Sequence, residues 1–121
     1  NKEKYYQLSY ELFLNAFLED NYGSALELSE YYFEDKIVKR NLSHAYDLAE
    51  VSRLGDRLDY WVVINKWAQI LLNEYGDFDL IVDGKVGPNT CKALATTDNW
   101  ASANYECGGF FTKPALLRLP K

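Results

Sequence analysis

The sequence predicts a mainly α-helical chain: a small helical bundle with a short extended segment and an Asp-Gly turn before its last helix. Three observations carry this expectation. Apolar residues recur at three- and four-residue spacing through most of the first 75 positions. Glycine-bearing stop signals at Gly23, Gly55 and Gly76 divide that pattern into helix-length pieces. Strand-like alternation is confined to Phe78, Leu80 and Val82. At 121 residues the chain reads as one helical domain, 1–121, large enough to bury a core without metal or disulfide staples. Ten Tyr, six Phe and three Trp supply ample apolar material for that core and leave some rings for a surface.

The first helix spans about residues 3–19, with Tyr5, Leu8, Leu12 and Ala16 on a face shared with Tyr6, Phe13 and Phe17. Asp20-Asn21-Tyr22-Gly23 ends it. Ser24 and Glu27 form a capping-box pattern for a second helix that carries Leu28, Tyr31 and Tyr32. It is expected to reach about Lys39, with the cations Lys36, Lys39 and Arg40 favoured by the dipole at its end. Ser43 caps a third helix through Leu54, which Gly55 stops.

Asp56 or Asp59 begins the longest helix, which runs through Tyr75. Leu58, Trp61, Ile64, Ala68 and Leu71 mark its apolar face, and Val62, Val63 and Ile70 widen it. Such a broad apolar surface implies a largely buried helix. The β-branched cluster in Tyr60–Ile64 leaves a strand as the alternative there. A short extended piece then leads to Asp83-Gly84, and Pro88 through Ala95 reads as a helix with Cys91, Leu94 and Ala95 inward. Residues 97–121 form an irregular tail with at most one short helical or strand segment.

The net charge of −5 is uneven. Residues 1–83 carry 16 acidic and 8 basic side chains, and residues 84–121 carry 2 and 5. An acidic body argues against a nucleic-acid partner, which needs a basic face to displace counterions. The basic tail suits either an anionic polymer or the acidic body itself. No run is long and apolar enough to span a bilayer, and no signal peptide is legible. The chain starts at Asn1 and lacks Met, so it reads as a fragment or a processed or trimmed product.

Cys91 and Cys107 permit one disulfide, which does not fix the compartment. With His44 the only histidine and no C-x-x-C spacing, no metal-ligand set and no cofactor motif is visible. His44 reads as structural or surface. Gly84-Lys85-Val86-Gly87-Pro88 lacks the spacing and the Lys-Ser/Thr end of a phosphate loop.

The densest signal is Val82-Asp83-Gly84-Lys85-Val86-Gly87-Pro88-Asn89-Thr90. Asp-Gly makes a turn because Gly takes positive φ without a Cβ clash. Gly87-Pro88 suits a helix start, where proline loses no hydrogen bond. Preceded by Asn65-Lys66-Trp67-Ala68-Gln69-Ile70-Leu71-Leu72-Asn73, this run resembles peptidoglycan-binding domains, in particular the C-terminal part of glycosyl hydrolase 108 type phage lysozymes. There a helix ending in a Leu-Gln-like pair precedes a V-D-G-x-x-G-P-x-T turn, and another helix follows. Here Ala68-Gln69 stands in place of Leu-Gln. The likeness covers about residues 31–96, with Tyr31–Asp35 and the helix from Ser43 similar to the preceding part, and the binding-like motif itself at about 57–96.

The resemblance implies a cell-wall module of a phage or bacterial lysin, with peptidoglycan glycan or stem peptide as partner. It also implies an extracytoplasmic location, or a cytoplasmic one before lysis. Asp83, Gly84, Gly87, Pro88 and Thr90 would be its architectural residues, with ligand contacts in neighbouring grooves. Aromatic faces that suit sugars are Tyr60, Trp67, Tyr75 and Trp100.

A catalytic member would carry its acid in an N-terminal Glu-Gly-Gly-like segment, and none is present. Glu19 and Asp20 are the nearest pair of carboxylates for glycoside hydrolysis. Cys91 with His44 has no recognisable nucleophile context. The expectation is therefore a non-catalytic wall-binding module. The alternatives are a divergent muramidase, or a protein-interaction or inhibitor domain using Glu27, Glu30, Glu34 and Asp35.

Overall fold

The computed structural model describes residues 2–35, 37–76, 78–96 and 111–119 and is mainly helical, with no strand among the described residues. The chain falls into two compact units, residues 1–60 and 61–121.

Unit 1 holds α1 (Lys2–Leu18), α2 (Ser24–Glu34), α3 (Leu42–Val51) and a single 3-10 turn, Ser52–Gly55. Its core includes Ala25, Leu28 and Leu48, against which Tyr10, Phe13, Leu14, Phe17, Tyr32 and Val51 pack. The inward stripe of α1 thus runs 10-13-14-17. Tyr5, Leu8 and Leu12 remain exposed, contrary to the expected face, because the 10-13-14-17 stripe places more aromatic and branched area against the core. The chain leaves α1 through a Schellman turn. Asn21 N–H donates to Ala16 O (2.9 Å) and Asp20 N–H to Phe17 O (3.0 Å), with Asp20 at φ 68°.

α2 stops at Glu34, five residues before the expected Lys39, because Asp35 turns left-handed at φ 60°. Arg40 still serves that helix end, from the following connection. Its Nε donates to Phe33 O at 2.6 Å, and its guanidinium lies 4.7 Å over the Phe33 ring. The capping box is not formed: Gly23 is the N-cap without a side-chain bond, and Glu27 is drawn to Arg57 instead. Asn41, rather than Ser43, caps α3 by accepting from His44 N–H at 3.0 Å. The His44 ring sits edge-on to Tyr32 at 4.4 Å.

Gly55 does not itself turn left-handed; Asp56 does, at φ 61°. Gly55 is needed for another reason, since a Cβ there would lie 2.2 Å from Gly23 N. Arg57 ties the end of the unit together, donating to Glu27 (2.8 and 3.1 Å), Gly23 O (3.2 Å) and Asp59 (3.2 and 3.3 Å).

α4 (Tyr60–Tyr75) begins at the edge of unit 1 and supplies the buried Ile64, Trp67, Ala68, Leu71 and Leu72 of unit 2. Tyr60–Ile64 is helical, so tertiary burial outweighs the β-propensity of the Val-Val-Ile run. The helix starts at Tyr60, directly after Asp59 and not at Asp56. Asp56 is left-handed and Asp59 is bound to Arg57, and Leu58 is exposed ahead of the helix. Residues 78–82 make an irregular connection to α5 (Pro88–Thr96). α5 buries Thr90, Ala93 and Leu94, whereas Ala95 faces outward and Cys91 is half-buried. A further helix, α6 (Lys113–Leu117), follows it, capped by Thr112 and burying Ala115 and Leu116. No helix among the described residues is long and apolar enough to cross a membrane.

Candidate functional site

Asn65, Gln69 and Asn73 lie four residues apart and therefore on one stripe of α4. Amides along a helix face that also carries core residues need partners, since a buried amide without hydrogen bonds is costly. The connection from 80 to 85 supplies them. Asn73 takes both backbone groups of Leu80, donating to its carbonyl at 3.0 Å and accepting from its N–H at 2.9 Å. Gln69 Oε1 accepts from the N–H groups of Asp83 (3.1 Å) and Gly84 (2.9 Å). The two hydrogens of its Nε2 are shared among Asp83 Oδ1 (3.1 Å), Lys85 O (3.0 Å) and Thr90 Oγ1 (3.3 Å). Asn65 Nδ2 donates to Gly84 O at 2.9 Å, while its Oδ1 accepts from Phe111 N–H at 2.9 Å.

The three amides thus hold the connection along α4 as a ladder. Gln69 and Asn65 are each only 1% exposed, so the bonds are made where water cannot replace them.

The Asp83-Gly84 turn fits this ladder closely. Gly84 has φ 77°, and a Cβ on it would sit 2.6 Å from Val62 Cγ1 and 2.9 Å from Val62 O. Asp83 Oδ1 also accepts from Lys85 N–H at 2.9 Å. That bond first, and the Gln69 amide second, hold the Asp83 carboxyl below the usual carboxylate range. Pro88 is the first residue of α5, and Gly87 O accepts the first helical bond from Cys91 N–H at 3.0 Å. Gly87 has neither a positive φ nor any atom within 4 Å of an added Cβ. Of the two motif glycines only Gly84 is required by its backbone.

The sequence-derived ligand residues do not gather around this cradle. Trp67 is 3% exposed and belongs to the core, which removes it as a sugar platform: its apolar faces are already covered. Tyr60 is half-buried in unit 1, with the Arg53 guanidinium 5.5 Å from its ring centroid. Tyr75 is exposed at the end of α4. Trp100 lies outside the described residues. Ile81 and Val82, which sequence reasoning did not mark as ligand-facing, are exposed beside the turn. With Tyr75 they are the large apolar residues exposed among the described part of unit 2.

Of the two acids considered for catalysis, Asp20 forms the left-handed end of α1 and accepts from the Tyr22 hydroxyl at 3.3 Å. Glu19 is exposed, its N–H closing the last turn of α1 on Asn15 O and Ala16 O. Cys91 is disulfide-bonded, and Cys107 lies outside the described residues. The acidic face of α2 lines a different feature, a groove of about 230 Å³ shared with α1.

Comparison with protein-family models, curated proteins and solved structures gives no match.

Proposed function

We propose that the chain is a non-catalytic peptidoglycan-binding module whose ligand-facing surface is the α4–α5 connection. The observation that carries this reading is the Gln69 cradle. One side chain joins the separate pieces of the motif, Asp83, Gly84, Lys85 and Thr90, into a single rigid turn. Gln69 stands where the resembled domains carry the second residue of their Leu-Gln pair. The cradle fixes a connection that presents Ile81 and Val82 to solvent close to the Asp83 carboxylate. Apolar faces suit sugar C–H surfaces, and a fixed carboxylate accepts from hydroxyl or amide groups.

The test is sedimentation of the protein with purified insoluble peptidoglycan at low salt. Retention in the pellet, reduced by Ile81→Ser with Val82→Ser, is the expected result. Protein left in the supernatant overturns the proposal. Clearing of the suspension that Glu19→Gln abolishes would replace it with a divergent muramidase.

A further inference from the structure

The face of α2 that carries Glu27, Glu30, Tyr31 and Glu34 repeats at i, i+3, i+4 and i+7, so these side chains form one continuous stripe. Across from it, Tyr5, Tyr6, Ser9 and Phe13 of α1 complete the wall of the groove. The lining therefore combines four aromatic rings with three carboxylates. The groove's volume, about 230 Å³, lies below the range of about 300–1,000 Å³ usual for small-molecule sites. That scale suits one extended side chain better than a saccharide.

Two of the lining rings, Tyr31 and Phe13, are packed against neighbours. Tyr31 meets Tyr10 edge-on at 5.5 Å and Phe13 at 6.5 Å. Tyr10 is anchored in turn by a 3.4 Å contact between its hydroxyl and that of Tyr32. Glu27 is fixed by Arg57 at 2.8 Å, which sets one end of the acidic stripe. Glu30 and Glu34 continue it by one helical turn.

Charge gives the sign of the occupant. Residues 1–60 contain 12 acidic and 7 basic side chains and so carry the entire net −5, whereas residues 61–121 contain six of each. An apolar stem with a cationic head fits such a groove on both counts. The methylenes lie against ring faces, and the head meets π-density and carboxylates together. We infer that the groove between α1 and α2 receives a lysine or arginine side chain of a partner polypeptide. This inference is independent of the wall-binding reading, since it concerns the other unit.

The test is an NMR titration of the intact chain with acetyl-Gly-Lys-Gly-amide, its arginine analogue and its uncharged norleucine analogue. Either cationic peptide should give saturable amide shifts at residues 5–13 and 27–34, while norleucine gives none. Tyr31→Leu and Glu30→Gln should each weaken binding about fivefold, the scale of one cation–π contact or one half-exposed ion pair. Tyr31→Phe keeps the ring and should keep the affinity. Glu74→Gln, an exposed acid of unit 2, should also leave it unchanged.

Amide spectra of the variants confirm that each remains folded. The inference is overturned if neither cation saturates, or if norleucine shifts the same amides equally. It also fails if Glu74→Gln weakens binding as much as Glu30→Gln, since the attraction would then be general charge.

Discussion

Replacing Gln69 by Leu is the sharpest perturbation of the unit 2 cradle, because it keeps the side-chain bulk and removes only the amide. The wild-type side chain accepts from two backbone N–H groups and donates toward a carboxylate, a carbonyl and a hydroxyl. Leu satisfies none of these. The Gly84 N–H bond is buried, so that donor is left dry at a cost of about 1–3 kcal/mol. The Asp83 N–H and Lys85 C=O are partly buried and recover some hydration, losing roughly 0.5–1.5 kcal/mol each. The sum is about 4 kcal/mol.

At about 4–8 °C per kcal/mol for a unit of this size, Tm should fall by roughly 15–30 °C. Circular dichroism melts measure that, and hydrogen exchange at Gly84 reports the cradle directly. A loss under about 1 kcal/mol with Gly84 still protected would refute the reasoning. Gln69→Glu adds a pH signature. A carboxylate placed beside Asp83 has its pKa raised in the folded state by burial and like charge. Its destabilisation should therefore grow as pH rises from about 4 toward neutrality.

Two further outcomes follow from the same contacts. Gly84→Ala should cost about 3 kcal/mol or more, combining a left-handed Ala with a Cβ forced against Val62. Gly87→Ala should cost no more than about 1 kcal/mol, since only a change of N-cap residue is involved; urea midpoints of the two variants distinguish them. In unit 1, the Tyr10 hydroxyl is pushed up to about 12, first by its hydrogen bond with Tyr32 and then by burial. A raised folded pKa means that its contribution is complete below pH 10 and fades as pH climbs toward 12. Phenolate absorbance should show a late-titrating tyrosine in the wild type that is missing in Tyr10→Phe.

The helices were legible because their signals are local. Stop residues at 20–23 and 76 and the Pro88 start each act through backbone geometry that one or two residues determine. A local signal misleads where a distant partner competes with it. Ser24 and Glu27 have capping-box spacing, but Arg57, thirty residues on, takes the glutamate. Lys36 to Arg40 read as a helix end, yet Asp35 turns the chain first and Arg40 reaches back from outside. Trp67 reads as a sugar platform in sequence because composition does not distinguish a core indole from an exposed one.

The amide stripe lies between these cases. Asn65, Gln69 and Asn73 have four-residue spacing within a broad apolar helix, where amides turned toward the core are costly unless something fills their bonds, and Asn65 and Gln69 are buried. Spacing alone thus demands a backbone partner running beside α4. The nearest segment without helical signals, 78–87, is the one that also contains the Asp-Gly turn. What spacing does not determine is the pairing, in which Asn73 takes Leu80, Gln69 takes 83–85, and Asn65 takes Gly84 together with Phe111. That order makes the turn a rigid product of α4 rather than an independent loop. It also explains why a short Asp-Gly motif comes with a glutamine fourteen residues before it.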